Sequence, residues 1–306
     1  MNMEQNTIRW KIIGRRVGKV LWALVRFFIL FGLGYTLLSP FLSIFSGAFR
    51  SEKDIWDPTV VWITRNYTTE HLTSVIEVMD YWRTLGRTAL VAIGGGICQM
   101  FACALAGYGF ARYNFKGKTI LFGLVILTIM VPPQVLMMPM YSTYRNLGLL
   151  DSVASFWITG LFGMGLRSGL FIFIYRQVFR ALPSDLEDAA SIDGCGHITT
   201  YFRIMLPNAV TSMATVFLFS FVWHSTDYFT TNIIMPTKHT LMVSLSLLSS
   251  KLASITGGTS QNTVSPLILQ AHLQAGSLLV VVPLIIVFVV CQRYFRAGIE
   301  RTGLVG

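Results

Sequence analysis

Long apolar runs alternate with polar stretches along this chain. The runs fall at about 20–47, 87–111, 119–142, 153–175, 208–234 and 272–292. A bilayer core of about 30 Å is crossed by about 20 helical residues. The pattern therefore predicts an all-α membrane protein with six transmembrane helices. Residues 1–19 are polar and basic, and 20–306 form the membrane domain, interrupted between the fourth and fifth runs by a polar island at 176–207. The first run is too long for a signal-peptide core and has no small-residue cleavage site, so it is read as a retained span.

Details inside the runs refine this layout. The second carries Gly94-Gly95-Gly96, Ala102, Ala104, Ala106 and Gly107, small residues that let helices approach closely in lipid. The third holds Pro132-Pro133 and Pro139, which must kink or break it. Such breaks survive at membrane depth only against protein or a wet cavity, so this span is expected to face the interior. Trp56, Trp62 and Trp82 in the 48–86 loop read as interface anchors. A loop rich in Ser, Thr and Gly is expected over 236–270.

Composition agrees with a membrane chain: 53% of residues are hydrophobic and 12% charged, with a net charge of +10. The placement of that charge argues against nucleic acid. Six spans put both termini on one side, and the N-terminus, the 112–118 turn, the island and the tail together carry more Lys and Arg than the opposite loops. Positive charge favours the cytoplasm, which places both termini and the island there. Cys98, Cys103 and Cys291 lie within spans and Cys195 within the island. No Cys/His cluster has metal-ligand spacing.

The island has its own local chemistry. Ser184-Asp185-Leu186-Glu187 reads as a capping box, with Glu187 reaching back to the Ser184 amide. Asp185, Glu187 and Asp188 occupy the first turn, where the helix dipole favours acids. Gly194 supplies the left-handed stop. Leu186, Ala189, Ala190 and Asp193 share a face by i, i+3, i+4 spacing, nearly flat for another backbone to approach. A second short helix ends at Pro207. Polar groups also occur at depth: Arg167, flanked by glycines, and Trp223, His224 and Asp227. Arg167 is either a cavity residue meeting a polar, acidic solute, or half of an internal ion pair with Asp227, or a snorkelling side chain. Asp227 and His224 either line a translocation path or sit near the outer interface. No phosphate loop, nucleophile elbow or HExxH is present, so no catalysis is expected in this chain.

The spacing Asp188-Ala189-Ala190, three residues, Gly194, nine residues, Ile204, one residue, Leu206-Pro207 resembles the "EAA" loop of bacterial ABC importer permeases. Asp188 stands where that family usually has Glu, with Glu187 adjacent. Ala106-Gly107-Tyr108 with Ala111–Lys118, Val131-Pro132 through Leu147–Asp151, and Gln292–Phe295 with Gly298 resemble further segments of the carbohydrate branch, related to the smaller maltose-type subunit. Trp223-His224-Ser225-Thr226 departs from the family's usual "WNxF" step, and Thr211 replaces a common proline.

The resemblance implies a type I ABC importer permease fold with a cytoplasmic coupling helix, in a bacterial cytoplasmic (inner) membrane. It assigns Leu186, Glu187, Asp188, Ala189, Ala190, Asp193, Gly194, Ile204, Leu206 and Pro207 to coupling with an ABC ATPase dimer. ATP and Mg would be bound by those partner subunits, so this chain needs no cofactor. A second permease, of a different sequence, and an extracytoplasmic solute-binding protein are the other implied partners. The binding protein would dock on the 48–86 and 236–270 loops, touching Gly257, Gly258, Thr259 and Ser260. The rival is a secondary carrier or channel independent of ATP. Its signatures would be internal repeats and several intramembrane acids, for which Asp227 alone is thin support.

Overall fold

The computed structural model describes residues 2–60, 63–255 and 265–303. Trp62 and Gly257–Ser260, singled out above, lie outside the described residues. Helices dominate, and among the described residues the β pairing is limited to one isolated antiparallel bridge, Arg50 with Tyr67. The chain divides into two compact units, residues 1–71 with 265–278, and 72–264 with 279–306.

In the first unit, helix α1 (Asn2–Ala48) is a long rod. Trp22, Leu30, Phe31 and Leu37 all stand more than half exposed along it, as an apolar surface made for lipid must. The loop beyond it is organised by one carboxylate. Asp54 accepts hydrogen bonds from the backbone amides of Arg65 (2.7 Å) and Asn66 (2.8 Å) and from Asn66 Nδ2 (2.8 Å). The Asn66 amide and these other donors hold its carboxyl below the ordinary aspartate value.

In the second unit, α2 (Tyr81–Arg112) starts six residues before the predicted span and widens to an i→i+5 turn over Leu90–Gly94. The third run is two helices, α3 (Lys118–Met130) and α4 (Pro133–Asn146), bent by 102°. The break falls at the Val131–Pro132 step, as the prolines require, because a residue before proline is pushed out of the helical region. Pro139 stays within α4.

The fourth run departs from a single helix. It forms α5 (Ala154–Leu161) and α6 (Ser168–Ala181), separated by an irregular segment in which Gly163 and Arg167 have φ of +63° and +56°. Arg167 is therefore not inside a helix but at a break, as the N-cap residue of α6. The glycines around it explain why: they make helix continuation costly through this stretch.

The island holds α7 (Asp185–Ile192) and α8 (His197–Asn208), and α8 bends by 77° into α9 (Val210–Thr226). The expected 236–270 loop contains short helices at Leu241–Ser246 and Leu248–Ile255. Finally, α10 (Pro266–Gly303) runs past both predicted ends of the sixth span. Among the described residues, three helices are long and apolar enough to cross a bilayer, rising to five if each bent pair counts as one crossing.

Close packing within the second unit depends on missing side chains. A Cβ on Gly107 of α2 would fall 2.5 Å from Tyr175 Cβ and 3.0 Å from the Arg176 amide nitrogen of α6. Gly107→Ala is expected to force α2 and α6 apart at a cost of about 1–3 kcal/mol, read as a lower unfolding midpoint of the purified protein. An unchanged midpoint would mean this contact is looser than described.

A second expectation concerns pH. Because Asp54 has a depressed folded value, its contribution is fully present above about 3.9, the unfolded aspartate value, and is lost as pH falls through the lower folded value. Limited proteolysis within 50–67 should rise over that acid window, and Asp54→Asn should raise it already at neutral pH. Equal cleavage of both proteins at neutral pH would contradict the role of Asp54.

Candidate functional site

Two sites emerge, one at the polar island and one at the break before α6. At the island, Glu187 does not reach back to its own helix. Its Oε1 accepts from Tyr108 Oη at 2.7 Å, and its Oε2 lies 3.2 Å from Arg112 Nε. Arg112 Nη2 also donates to the Leu182 carbonyl at 2.7 Å. Tyr108 and Arg112 lie one turn apart on the last turns of α2, so one face of that helix grips both the acid and the chain leading into α7.

The predicted capping box is accordingly corrected. Ser184 sits in the helical region with no side-chain cap, while its carbonyl accepts from the Glu187 and Asp188 amides. A helical Ser184 cannot present its hydroxyl to the third amide. Glu187 meanwhile gains charge-assisted bonds, worth more than the neutral exchange of a capping box. The helix stop is as expected: Gly194 has φ +77°, its amide bonds Ser191 O at 3.1 Å, and the Cys195 amide bonds Ala190 O at 2.9 Å. That pair of bonds is a Schellman closure.

The shared face of Leu186, Ala189, Ala190 and Asp193 is split. Ala190 is buried and Leu186 and Glu187 half-buried, whereas Asp185, Asp188, Ala189, Ile192 and Asp193 are exposed. Engagement of Glu187 by α2 rotates its side of the helix inward. The surface offered outward therefore combines acids, a small alanine and Ile192, which is 86% exposed. Ile198 and Phe202 of α8 add apolar area nearby in sequence, at 76% and 56% exposure.

Ile204, Leu206 and Pro207 do not join this surface. Leu206 is buried in the second unit's core with Tyr201 and Met205, and Ile204 packs against that core. Pro207 opens the short turn before the 77° bend. Tyr108 meets Phe179 edge-on (5.4 Å) and packs at a tilt on Tyr201 (5.0 Å), so the same residue that holds Glu187 also seats α8.

The second site surrounds Gln99, a fully buried amide in α2. Its Nε2 donates to Leu166 O and to Ser168 Oγ, both at 2.7 Å. Its Oε1 accepts from Ser220 Oγ at 2.5 Å and meets His224 Nε2 at 3.3 Å. One side chain thus ties α2, the break before α6, and α9. Beside it lies a cavity of about 270 Å³, lined by the proline break (Val131, Pro133), the segment Gly163–Gly169, Thr159 and His224. The broken third span does face a cavity.

Arg167 lines this cavity with its guanidinium 4.5 Å from the Trp223 ring centroid. Trp223 is stacked in turn on Phe171 at 5.3 Å. Among the described residues no ion pair joins Arg167 to Asp227. Asp227 instead accepts from the Thr230 amide at 3.2 Å, in the first turn of the helix Phe229–Ile234, and it is not part of the cavity lining. Of the four polar candidates at depth, Arg167, Trp223 and His224 are brought together and Asp227 is set aside.

Sequence reasoning missed Gln99 and the grip of Tyr108 and Arg112. A lone amide inside a run of glycines and alanines was the available signal for Gln99, since an amide at membrane depth needs partners. Among the described residues, no group of three or more His, Cys, Asp or Glu is placed to hold a metal ion.

Residues 101–301 match the family described as "Binding-protein-dependent transport system inner membrane component". The arabinooligosaccharides transport system permease protein AraQ of Bacillus subtilis (strain 168) is 28% identical over 226 residues, covering 74% of each chain. The AraQ protein of Halalkalibacterium halodurans is 26% identical over 289 residues, covering 90% of this chain and 93% of its own. In structure, the chain is similar to one from a crystal structure of a bacterial ABC transporter involved in the import of the acidic polysaccharide alginate. The TM-score there is 0.74 at 20% identity, over 91% of this chain and 98% of that one.

The split faces of α7 give a direct expectation. In a background without the native cysteines, Asp188→Cys and Ile192→Cys should react quickly with a maleimide and Ala190→Cys slowly, in the chain freed from partners. Equal rates at 190 and 192 would refute the assigned rotation of this helix.

Proposed function

Because the chain belongs to the family of binding-protein-dependent transport system inner membrane components, we propose that it is a permease subunit of an ABC importer for a carbohydrate, driven through the helix α7 by a partner ATPase dimer. The observation that carries the coupling is the grip of Tyr108 and Arg112 on Glu187. A helix held to the end of a long membrane rod by a charged, hydrogen-bonded contact moves with that rod. The exposed Asp188, Ala189, Ile192 and Asp193 face is what the ATPase groove receives, while Glu187 and Ala190 face the membrane domain. In this reading the shorter Asp188 costs nothing in transmission, because the inward contact is made by Glu187.

Six crossings follow if α3 with α4, and α5 with α6, each count as one broken span and α9 as another. Both termini and the island then face the cytoplasm, where ATP and Mg are bound by the partner subunits. A second, different permease completes the path, and a solute-binding protein docks on the opposite face over 48–86 and 236–270, including Gly257–Ser260. The cavity lined by Arg167 and His224, with Trp223 against Arg167, is this chain's part of the solute path. Nucleotide closes the ATPase dimer in one state and releases it in the other. The permease alternates because those states bind the exposed face differently. The relatives named for arabinooligosaccharides support a saccharide as solute.

An ATPase and a second permease should co-purify with the chain, and uptake should require hydrolysable ATP. Uptake by this chain alone, down an ion gradient, would establish the secondary-carrier reading instead. Gly194→Asp tests the coupling itself. Aspartate tolerates a left-handed φ better than most residues, but its charge beside Asp193 opposes the negative end of the helix dipole, so the Schellman closure should loosen. The expected result is ATP hydrolysis separated from transport, or loss of the ATPase from the complex. Normal uptake per ATP would leave α7 a mere connector.

A further inference from the structure

We propose that the cavity beside Gln99 recognises an acidic saccharide, a uronate, with Arg167 taking the carboxylate and His224 a sugar hydroxyl. This rests on the solute-path reading above and adds the chemical class of the solute.

The chemistry of the cavity is asymmetric. Among its described lining residues, Arg167 is the one charged side chain. It has no carboxylate partner among the described residues, and its guanidinium rests on Trp223. Stacking on an indole satisfies the flat face of a guanidinium and leaves its in-plane N–H groups free. Those donors form the fork that matches a carboxylate. Arg167 is the N-cap residue of the 14-residue α6, at φ +56°, so its backbone lies at the positive end of that helix's dipole.

His224 supplies the second, independent feature. Gln99 Nε2 bonds a backbone carbonyl, which only accepts, so the amide orientation is fixed and Oε1 faces His224. His224 Nε2 must then donate. In the neutral ring Nδ1 is left as a bare acceptor. His224 is 97% buried, lines the cavity, and its Nδ1 has no partner. A buried unpaired acceptor is destabilising, and a ligand hydroxyl that reached it would remove that cost. A lone cation and an unsatisfied acceptor among the residues lining one cavity ask for a ligand with both a carboxylate and hydroxyl donors. A neutral sugar answers only the second, and a simple carboxylic acid only the first.

The test uses the complete membrane complex in nanodiscs, with the binding protein omitted. Binding of radiolabelled digalacturonate is measured, with unlabelled digalacturonate and its neutral methyl ester as competitors. The acid should compete roughly tenfold better than the ester, as one charge-assisted contact implies. Arg167→Gln should bring acid and ester to the same affinity, and Arg167→Lys should keep part of the preference. No binding of the acid, equal competition in the wild-type complex, or an Arg167→Gln complex with the wild-type preference would each overturn the proposal. The wild-type comparison decides the matter even if the Gln variant does not assemble. ATP-driven uptake of a neutral saccharide alone would leave the permease reading standing and reject this one.

Discussion

The contact on which the rest depends is the carboxylate of Glu187 between Tyr108 and Arg112. It joins the only strongly acidic turn of the island to the end of the 32-residue helix α2. Without it, α7 would be a two-turn helix on a loop, too short to persist on its own propensity. With it, the island becomes an extension of the membrane domain. Tyr108 also packs on Phe179 and Tyr201, so α6 and α8 converge on the same point.

Near its middle, α2 contributes Gln99 to a polar hub that fixes the break before α6. The two contacts, made by one helix, connect the island to the cavity through a single rigid element. Small residues make this possible. Gly107 lets α6 approach one part of α2, and Gly160 of α5 approaches Gly95 and Gln99 on another. A hub this buried is tolerable only because every polar atom of Gln99 finds a partner. The unpartnered Nδ1 of His224 is the exception at this hub.

The helical layout was largely legible in the sequence because lipid imposes length and apolarity on each crossing. The proline break at 131–133 and the left-handed stop at Gly194 were legible too, since each follows from one residue's backbone limits. The break at 162–167 was not, although its glycines were noted, because an uninterrupted apolar run looks the same whether or not the helix continues. Nor was the inward turn of Glu187. Local rules offered it a capping box, and a residue 75 positions away in sequence, Arg112, offered a stronger contact. Arg167 shows the same lesson: its partner is the ring of Trp223 rather than the acid nearest by charge.

The central claim is that Glu187 transmits motion between the island and α2, and solute moved per ATP hydrolysed measures it most directly. Glu187→Ala, Arg112→Ala and the double variant would be compared in the reconstituted importer. If the two residues act as one joint, each single variant lowers that ratio and the double lowers it little further. Wild-type ratios in both single variants, with α7 still bound to its ATPase partner, would contradict the account.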